Sequence, residues 1–354
     1  MMKELKRIIC FGIYIAAFSY SQNQGPRHPE RYIQVQPVLN LGKIQPSISR
    51  FDQFSVDKED HVYFLEAGKH GILEYDQTGK FIKQIGRIGQ DQEGLYQPRG
   101  LYVGNQRILV LNKAGKSIKA FSFEGHCLFE WDIEKSYISD SPIEDADGNI
   151  WANVRYRDPE QKDTFNDYPL ITLIGPDGVI KRGVGKIIPC RNLVQYRVFN
   201  SCFLAISGRK ILGGFKYFPI IFAYDLQGNE IFRKDLREFG LPEIQWLENK
   251  AREKGFDRPE TPPKKEFGVQ TVIYCRGISV DKNGHIYHVV NQYQDNNLGR
   301  GVIIHFDPLG NFLEKIFLKK GNADVGIIMG IWIDPKGRRF AVGYENKNWF
   351  LFNF

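Results

Sequence analysis

Six residues separated by whole repeats offer this chain its best chemistry: Asp52, Arg99, Asp140, Cys202, Arg276 and Met329. Each stands five residues ahead of a recurring turn phrase, so each begins an extended segment at the same place in its repeat. Two arginines at such places could grip one carboxylate or phosphate, because a planar guanidinium presents paired N–H donors to two oxygens. Asp52 and Asp140 could instead hold Ca2+, a hard cation that takes oxygen ligands. A third outcome is that these charges satisfy one another around a water-filled channel. A register error of one residue would turn the opposite side chains inward.

Other constellations are weaker. None of the seven histidines falls in the set of six, and a catalytic zinc site needs three converging ligands. The sequence has no Gly-x-Ser-x-Gly elbow, paired Cys-x-x-Cys, phosphate-binding loop or dinucleotide glycine pattern. Asp295-Asn296-Asn297 lacks the spaced ligands and closing glutamate of a calcium loop. Cys127, Cys190, Cys202 and Cys275 lie beyond the N-terminal leader. Cys190–Cys202 is the local disulfide candidate, with free buried thiols as the alternative.

The elements that must position the six residues come from two repeated phrases. The first joins an apolar residue, an acid, a short polar turn and an apolar pair, as in Val56-Asp57-Lys58-Glu59-Asp60-His61-Val62-Tyr63 and Val280-Asp281-Lys282-Asn283-Gly284-His285-Ile286-Tyr287. Its equivalents fall at 57, 104, 145, 207, 281 and 334, which makes six copies. The second phrase is an aromatic, Asp and a nearby Gly, as in Tyr75-Asp76-Gln77-Thr78-Gly79, Tyr224-Asp225-Leu226-Gln227-Gly228 and Phe306-Asp307-Pro308-Leu309-Gly310. Both read as hairpin turns, since Asp, Asn and Gly bond the local backbone or adopt left-handed conformations. One unit is then four antiparallel strands, and six units predict an all-β, six-bladed propeller of four-stranded blades. The last copy ends before its fourth strand. Tyr32–Leu39 is therefore expected to supply that strand and close the ring.

The stretch Gly86-Arg87-Ile88-Gly89, followed by Gly94-Leu95-Tyr96-Gln97-Pro98-Arg99-Gly100, resembles the linker of NHL-repeat proteins. The resemblance covers about residues 50–354 as architecture and is strongest over about 70–135; blades 3, 4 and 6 drop the glycine-rich linker. It implies a divergent, bacterial, exported propeller. Similar six-bladed folds include calcium-dependent lactonases and esterases, which hold one ion on Glu, Asn and Asp of their inner strands. Others are amidating lyases, which hold zinc with histidines.

Residues 1–21 read as a signal peptide: Lys3, Lys6 and Arg7, then an apolar run from Ile8 to Phe18 too short to span a bilayer. A tail at 22–31 and the propeller at 32–354 follow, with an insertion at 236–268 between blades 4 and 5. The expected location is periplasmic, cell-surface or secreted, with no membrane span after cleavage. The formal charge of +7 leaves a basic surface, but the basic residues are scattered and export argues against nucleic acid.

Tight turns share one face of a propeller, and the b–c and d–a connections share the other. The long segments Arg155–Pro169, Gly183–Asn200, Leu236–Gly268 and Asn291–Arg300 all belong to the second class. Binding is expected on that face. Within the insertion a helix is expected from about Pro242 to Lys254, with Ile244, Leu247 and Ala251 packed on the propeller and a lid or docking role as the functional alternative. The sequence therefore predicts a monomeric binding or scaffolding protein for a protein, peptide or glycan, with no cofactor. A calcium-dependent hydrolase using Asp52 and Asp140 at the channel mouth is the alternative.

Overall fold

The computed structural model describes residues 28–46, 48, 53–66, 68, 71–133, 136–156, 167–256, 258–259, 271–294, 297–334, 336–345 and 348–354. The expected signal peptide at 1–21, Asp52, Asp295-Asn296 and most of 257–270 fall outside this set. Six blades follow one another along the chain. Their inner strands are Gln53–Val56, Gly100–Val103, Ile143–Glu144, Cys202–Ser207, Gly277–Val280 and Ile327–Ile333. The fourth strands are Phe81–Ile85, Cys127–Asp132, Ile180–Val184, Glu230–Asp235, Phe312–Lys320 and, for blade 6, Pro37–Asn40.

Both turn phrases are built by one hydrogen-bonding scheme. Asp57 Oδ1 accepts from the backbone N–H of Glu59 and His61, while Oδ2 takes the Tyr63 hydroxyl at 3.0 Å. Asp145 does the same with Asp147, Asn149 and the Trp151 indole at 2.9 Å, and Asp281 with Asn283, His285 and Tyr287. In the outer turns, Asp76, Asp225 and Asp307 each accept two backbone N–H groups two and four residues on. The glycines closing these turns, such as Gly228 at φ 95°, occupy the left-handed region that a side chain would strain.

Strands of a propeller blade are covered on both sides, so they read as unbroken apolar runs rather than alternating ones. Ile108 and Val110 face blade 1, and Leu109 and Leu111 of the same strand face blade 3. Six separate cores result, one in each wedge between neighbouring blades. The wedge between blades 6 and 1 joins Leu39, Phe340 and Leu351 to Phe54, Val62 and Leu73, so the ring is closed by packing as well as pairing.

The closing segment differs in detail from the expectation of one strand over Tyr32–Leu39. Glu30–Gln34 runs parallel to Phe312–Lys320 on the outer edge of blade 5, and only Pro37–Asn40 pairs with Asn348–Asn353 to complete blade 6. The chain steps from one blade to the next at Gln36-Pro37. Proline lacks a donor and is tolerated there on an outermost strand.

Of the expected loop Asn291–Arg300, residues 291–294 and 297–300 belong instead to the paired strands Ile286–Gln294 and Asn297–Phe306. The insertion helix runs Pro242–Glu253, with Ile244, Leu247 and Ala251 buried and the first two in the wedge between blades 4 and 5. A second helix, Leu193–Phe199, lies in the blade 3 to blade 4 connection, its first turn capped by the Asn192 side chain on Gln195 N at 2.9 Å. All four described cysteines are free thiols, so the Cys190–Cys202 bridge is not formed. Cys190 instead donates to the Ile188 carbonyl at 3.1 Å.

Candidate functional site

The inner strands enclose a channel with a cup at each end. Tyr102, Ile143, Leu204, Ile278 and Trp332 line both cups and form the waist between them. Tyr102 and Trp332, from blades 2 and 6, meet edge-on in front of blade 1 with ring centres 5.9 Å apart. Both are fixed by polar ends: Trp332 Nε1 donates to the Val56 carbonyl at 2.9 Å and the Tyr102 hydroxyl to that of Glu144 at 3.3 Å.

The turn-face cup is slightly the larger, about 460 Å³ against about 410 Å³. Its acids are Asp57, Asp145, Asp281 and Asp334, committed to the backbone of their own hairpins, together with Glu144, which pairs with Arg107, and Glu59. The cup on the face of the long connections is different. Arg99, Asp140, Arg276 and Met329 all line it, and Lys216 joins them. Arg99 and Arg276 occupy equivalent places: each backbone N–H bonds the second strand of its own blade, at Leu111 O and Val289 O, both at 3.0 Å. They belong to blades 2 and 5, on opposite sides of the six-membered ring.

Lys216 approaches Asp140 Oδ1 at 3.4 Å and lies over the Phe203 ring at 5.1 Å. Asp140 raises the Lys216 pKa, while burial raises that of Asp140 against the pull of Lys216, Ser139 and Arg155. Asp140 Oδ2 is buried without a hydrogen bond of normal geometry. Beneath this wall Asn153, fully buried, receives the Ser139 hydroxyl at 2.5 Å and the Arg155 guanidinium. Arg155 is itself fully buried and rests 5.7 Å from the Tyr196 ring centre. Ser141 donates to Gln53 Oε1, which also takes the Leu101 N–H at 2.9 Å.

Cys202 is a correction to the predicted set: it points away from the cup, fully buried in the wedge between blades 3 and 4, and burial pushes its thiol pKa well up. The residues of this strand that line this cup are Phe203 and Leu204. Asp52 lies outside the described residues. The rule of counting back from the turn found residues entering each inner strand but missed Lys216, which leaves the second strand of blade 4. The insertion docks beside this wall, since the Tyr274 hydroxyl donates to Glu248 of the helix while Tyr274 N–H donates to the Lys216 carbonyl at 2.8 Å. No group of three His, Cys, Asp or Glu side chains among the described residues is placed to hold a metal ion.

This ring of six four-stranded blades is a six-bladed β-propeller. No family model and no curated protein matches the chain. Among solved structures, a member of the DUF4221 family from Bacteroides vulgatus superposes with a TM-score of 0.54 at 9% identity, over 86% of this chain and 92% of that one. Regucalcin from Agrobacterium tumefaciens, described as a calcium-binding protein, superposes with a TM-score of 0.51 at 10% identity, over 91% and 94%. These likenesses concern the fold. The six-bladed architecture is present; the NHL-repeat family itself is not shown by any family model.

Proposed function

We propose that this chain is an exported binding propeller that captures an anionic group of a protein, peptide or glycan ligand in the cup lined by Arg99, Lys216 and Arg276. One observation carries the reading: among the described lining residues, three cations and a single carboxylate stand in the cup of the elaborated face, whereas six acids and two lysines line the other cup. Oppositely placed arginines bind an oxyanion with charge-assisted hydrogen bonds, and a concave site of this size suits one ligand residue. The calcium-dependent hydrolase alternative requires Asp140 to turn from Lys216 to an ion, and a cation beside that ammonium is repelled.

Calorimetric titration of the protein with citrate, succinate and an acidic peptide tests the reading. At least one carboxylate should bind, and Arg99→Ala with Arg276→Ala should weaken it by roughly 10- to 100-fold, the worth of a charged hydrogen bond or two. Unchanged binding in the double variant would overturn it. Tightly held calcium, removable only by chelation together with ester or lactone hydrolysis, would establish the hydrolase instead.

A further inference from the structure

We propose that blade 5 carries an acid-sensitive switch: the hydrogen bond between the facing imidazoles of His285 and His305 fails when both rings are protonated, and the 281–285 turn is released. His285 Nδ1 lies 2.9 Å from His305 Nε2, and the far nitrogen of His305, Nδ1, lies 3.1 Å from Glu314 Oε1. A carboxylate only accepts, so His305 donates through Nδ1 and keeps Nε2 as the acceptor for the N–H of His285. The facing nitrogens thus hold one proton between them. A first added proton can go to the other nitrogen of His285 and leaves that bond in place. A second must go to His305 Nε2, where it meets the His285 N–H and turns attraction into repulsion.

Blade 1 has the opposite arrangement at the same register. His61 follows Asp57 by four residues as His285 follows Asp281, and Tyr63, Glu74 and Lys83 stand opposite one another across the strands as Tyr287, His305 and Glu314 do. There His61 Nδ1 meets Glu74 Oε1 at 2.8 Å, and Lys83 lies 3.6 Å from the same carboxylate. Protonating His61 makes that contact an ion pair. One ring therefore contains two equivalent rows that answer acid in opposite senses, blade 1 tightening and blade 5 loosening.

The charged groups around the blade 5 row are already engaged. Asp281 accepts from the amides of Asn283 and His285 and from the Tyr287 hydroxyl, and Asp307 from Leu309 and Asn311; neither hydrogen-bonds an imidazole among the described residues. Glu314 is shared with Arg31 of the edge strand at 3.7 Å. From blade 6, Arg339 stands 4.8 Å over the ring of Tyr287, which stacks on His305 at 4.5 Å, and so adds a cation to the same wall. His288 faces the other side of its strand, against Gly214. Burial pulls the His305 pKa down against the opposing effect of Glu314, so the opened chain takes the proton first. The stability this row contributes is complete above about pH 6.5 and is lost as pH falls through the lowered value. Asp281 and Lys282 line the turn-face cup, so releasing their turn changes the rim of that cup.

Hydrogen exchange of the full chain, followed by mass spectrometry from about pH 8 to about pH 5 and corrected for the intrinsic effect of pH on exchange, tests the switch. Residues 281–287 should lose protection about tenfold across that range, the factor that one lost hydrogen bond supplies, while residues 57–63 keep theirs. His305→Gln, which cannot take up the second proton, should abolish the acid step. His305→Glu with Glu314→Lys copies the blade 1 row into blade 5 and should reverse it. Thermal melting at about pH 8 shows whether each variant folds, and His305→Gln decides alone if the double variant does not. Equal loosening of blades 1 and 5 would assign the response to the whole ring, and an acid step that survives in a folded variant would assign it to another group. Either result overturns the switch, as does a parent chain whose 281–287 protection is indifferent to pH.

Discussion

At single positions, the same residue type does opposite jobs according to what its neighbours leave it. Asp145 is saturated by two backbone amides and an indole, whereas Asp140 keeps one oxygen unmet at the wall of a cup. The sequence distinguishes these two: Asp145 is followed six residues on by an aromatic donor, Trp151, as Asp57 is by Tyr63 and Asp281 by Tyr287, and Asp140 is not. What the sequence did not disclose is His288, fully buried with both ring nitrogens unpartnered among the described residues, in the wall where Gly214 leaves room for it and Cys275. Burial lowers its pKa to about 3. The unfolded chain, with histidine near 6.5, then binds the extra proton first. Stability is complete above about pH 6.5 and is lost as pH falls towards 3. His288→Leu should flatten that acid limb, read as urea midpoints across pH 3–8. Parallel limbs for variant and parent would contradict it.

Elements here are held less by their own propensity than by single buried charges. Lys119, almost wholly buried, donates to the carbonyls of Asp91, Gln92 and Gly94 at 3.3, 2.9 and 2.7 Å and pairs with Glu130, so one side chain folds the 86–100 linker against blade 2. Lys119→Met should leave those carbonyls without their cation and Glu130 with Lys113 alone, cost about 3 kcal/mol, and speed hydrogen exchange over residues 87–95 ahead of the rest. Uniform exchange across the blade would show that the linker holds itself. The glycines of this linker were legible because Gly94 has Gly89 backbone 2.6 Å from where a Cβ would sit. The lysine was not, since nothing in Ser117-Ile118-Lys119-Ala120 announces a buried ammonium. Helix 242–253 was legible from its proline start and glycine stop. Helix 193–199 left a fainter mark, the pair Asn192 and Gln195 three apart, with too few turns to show a period.

For the whole molecule, the repeat count settled the architecture because six turn phrases allow only so many blades, and the loop lengths separated the two faces. The site was half legible: strand-entry positions follow from counting, but cup walls also take residues from strand exits, as at Lys216. Closure is the feature most open to test. Removing residues 28–40 strips blade 6 of its outer strand and exposes the edge of Asn348–Asn353. That chain should form concentration-dependent aggregates, read by light scattering, at temperatures where the parent forms none. A soluble monomer with unchanged melting would disprove the latch.

The same latch sets an order in time. Pro37–Asn40 are made among the first residues of the fold, and their partners Asn348–Asn353 among the last, so a growing chain holds one half of the clasp through the making of every blade. Blades 1 to 5 can gather by contacts within and between neighbours as they emerge. The join between blades 6 and 1 is a contact of extreme sequence separation and must wait for completion. Until then the chain is an open arc with two raw ends, and the final step of its folding is a circle closing on its own beginning.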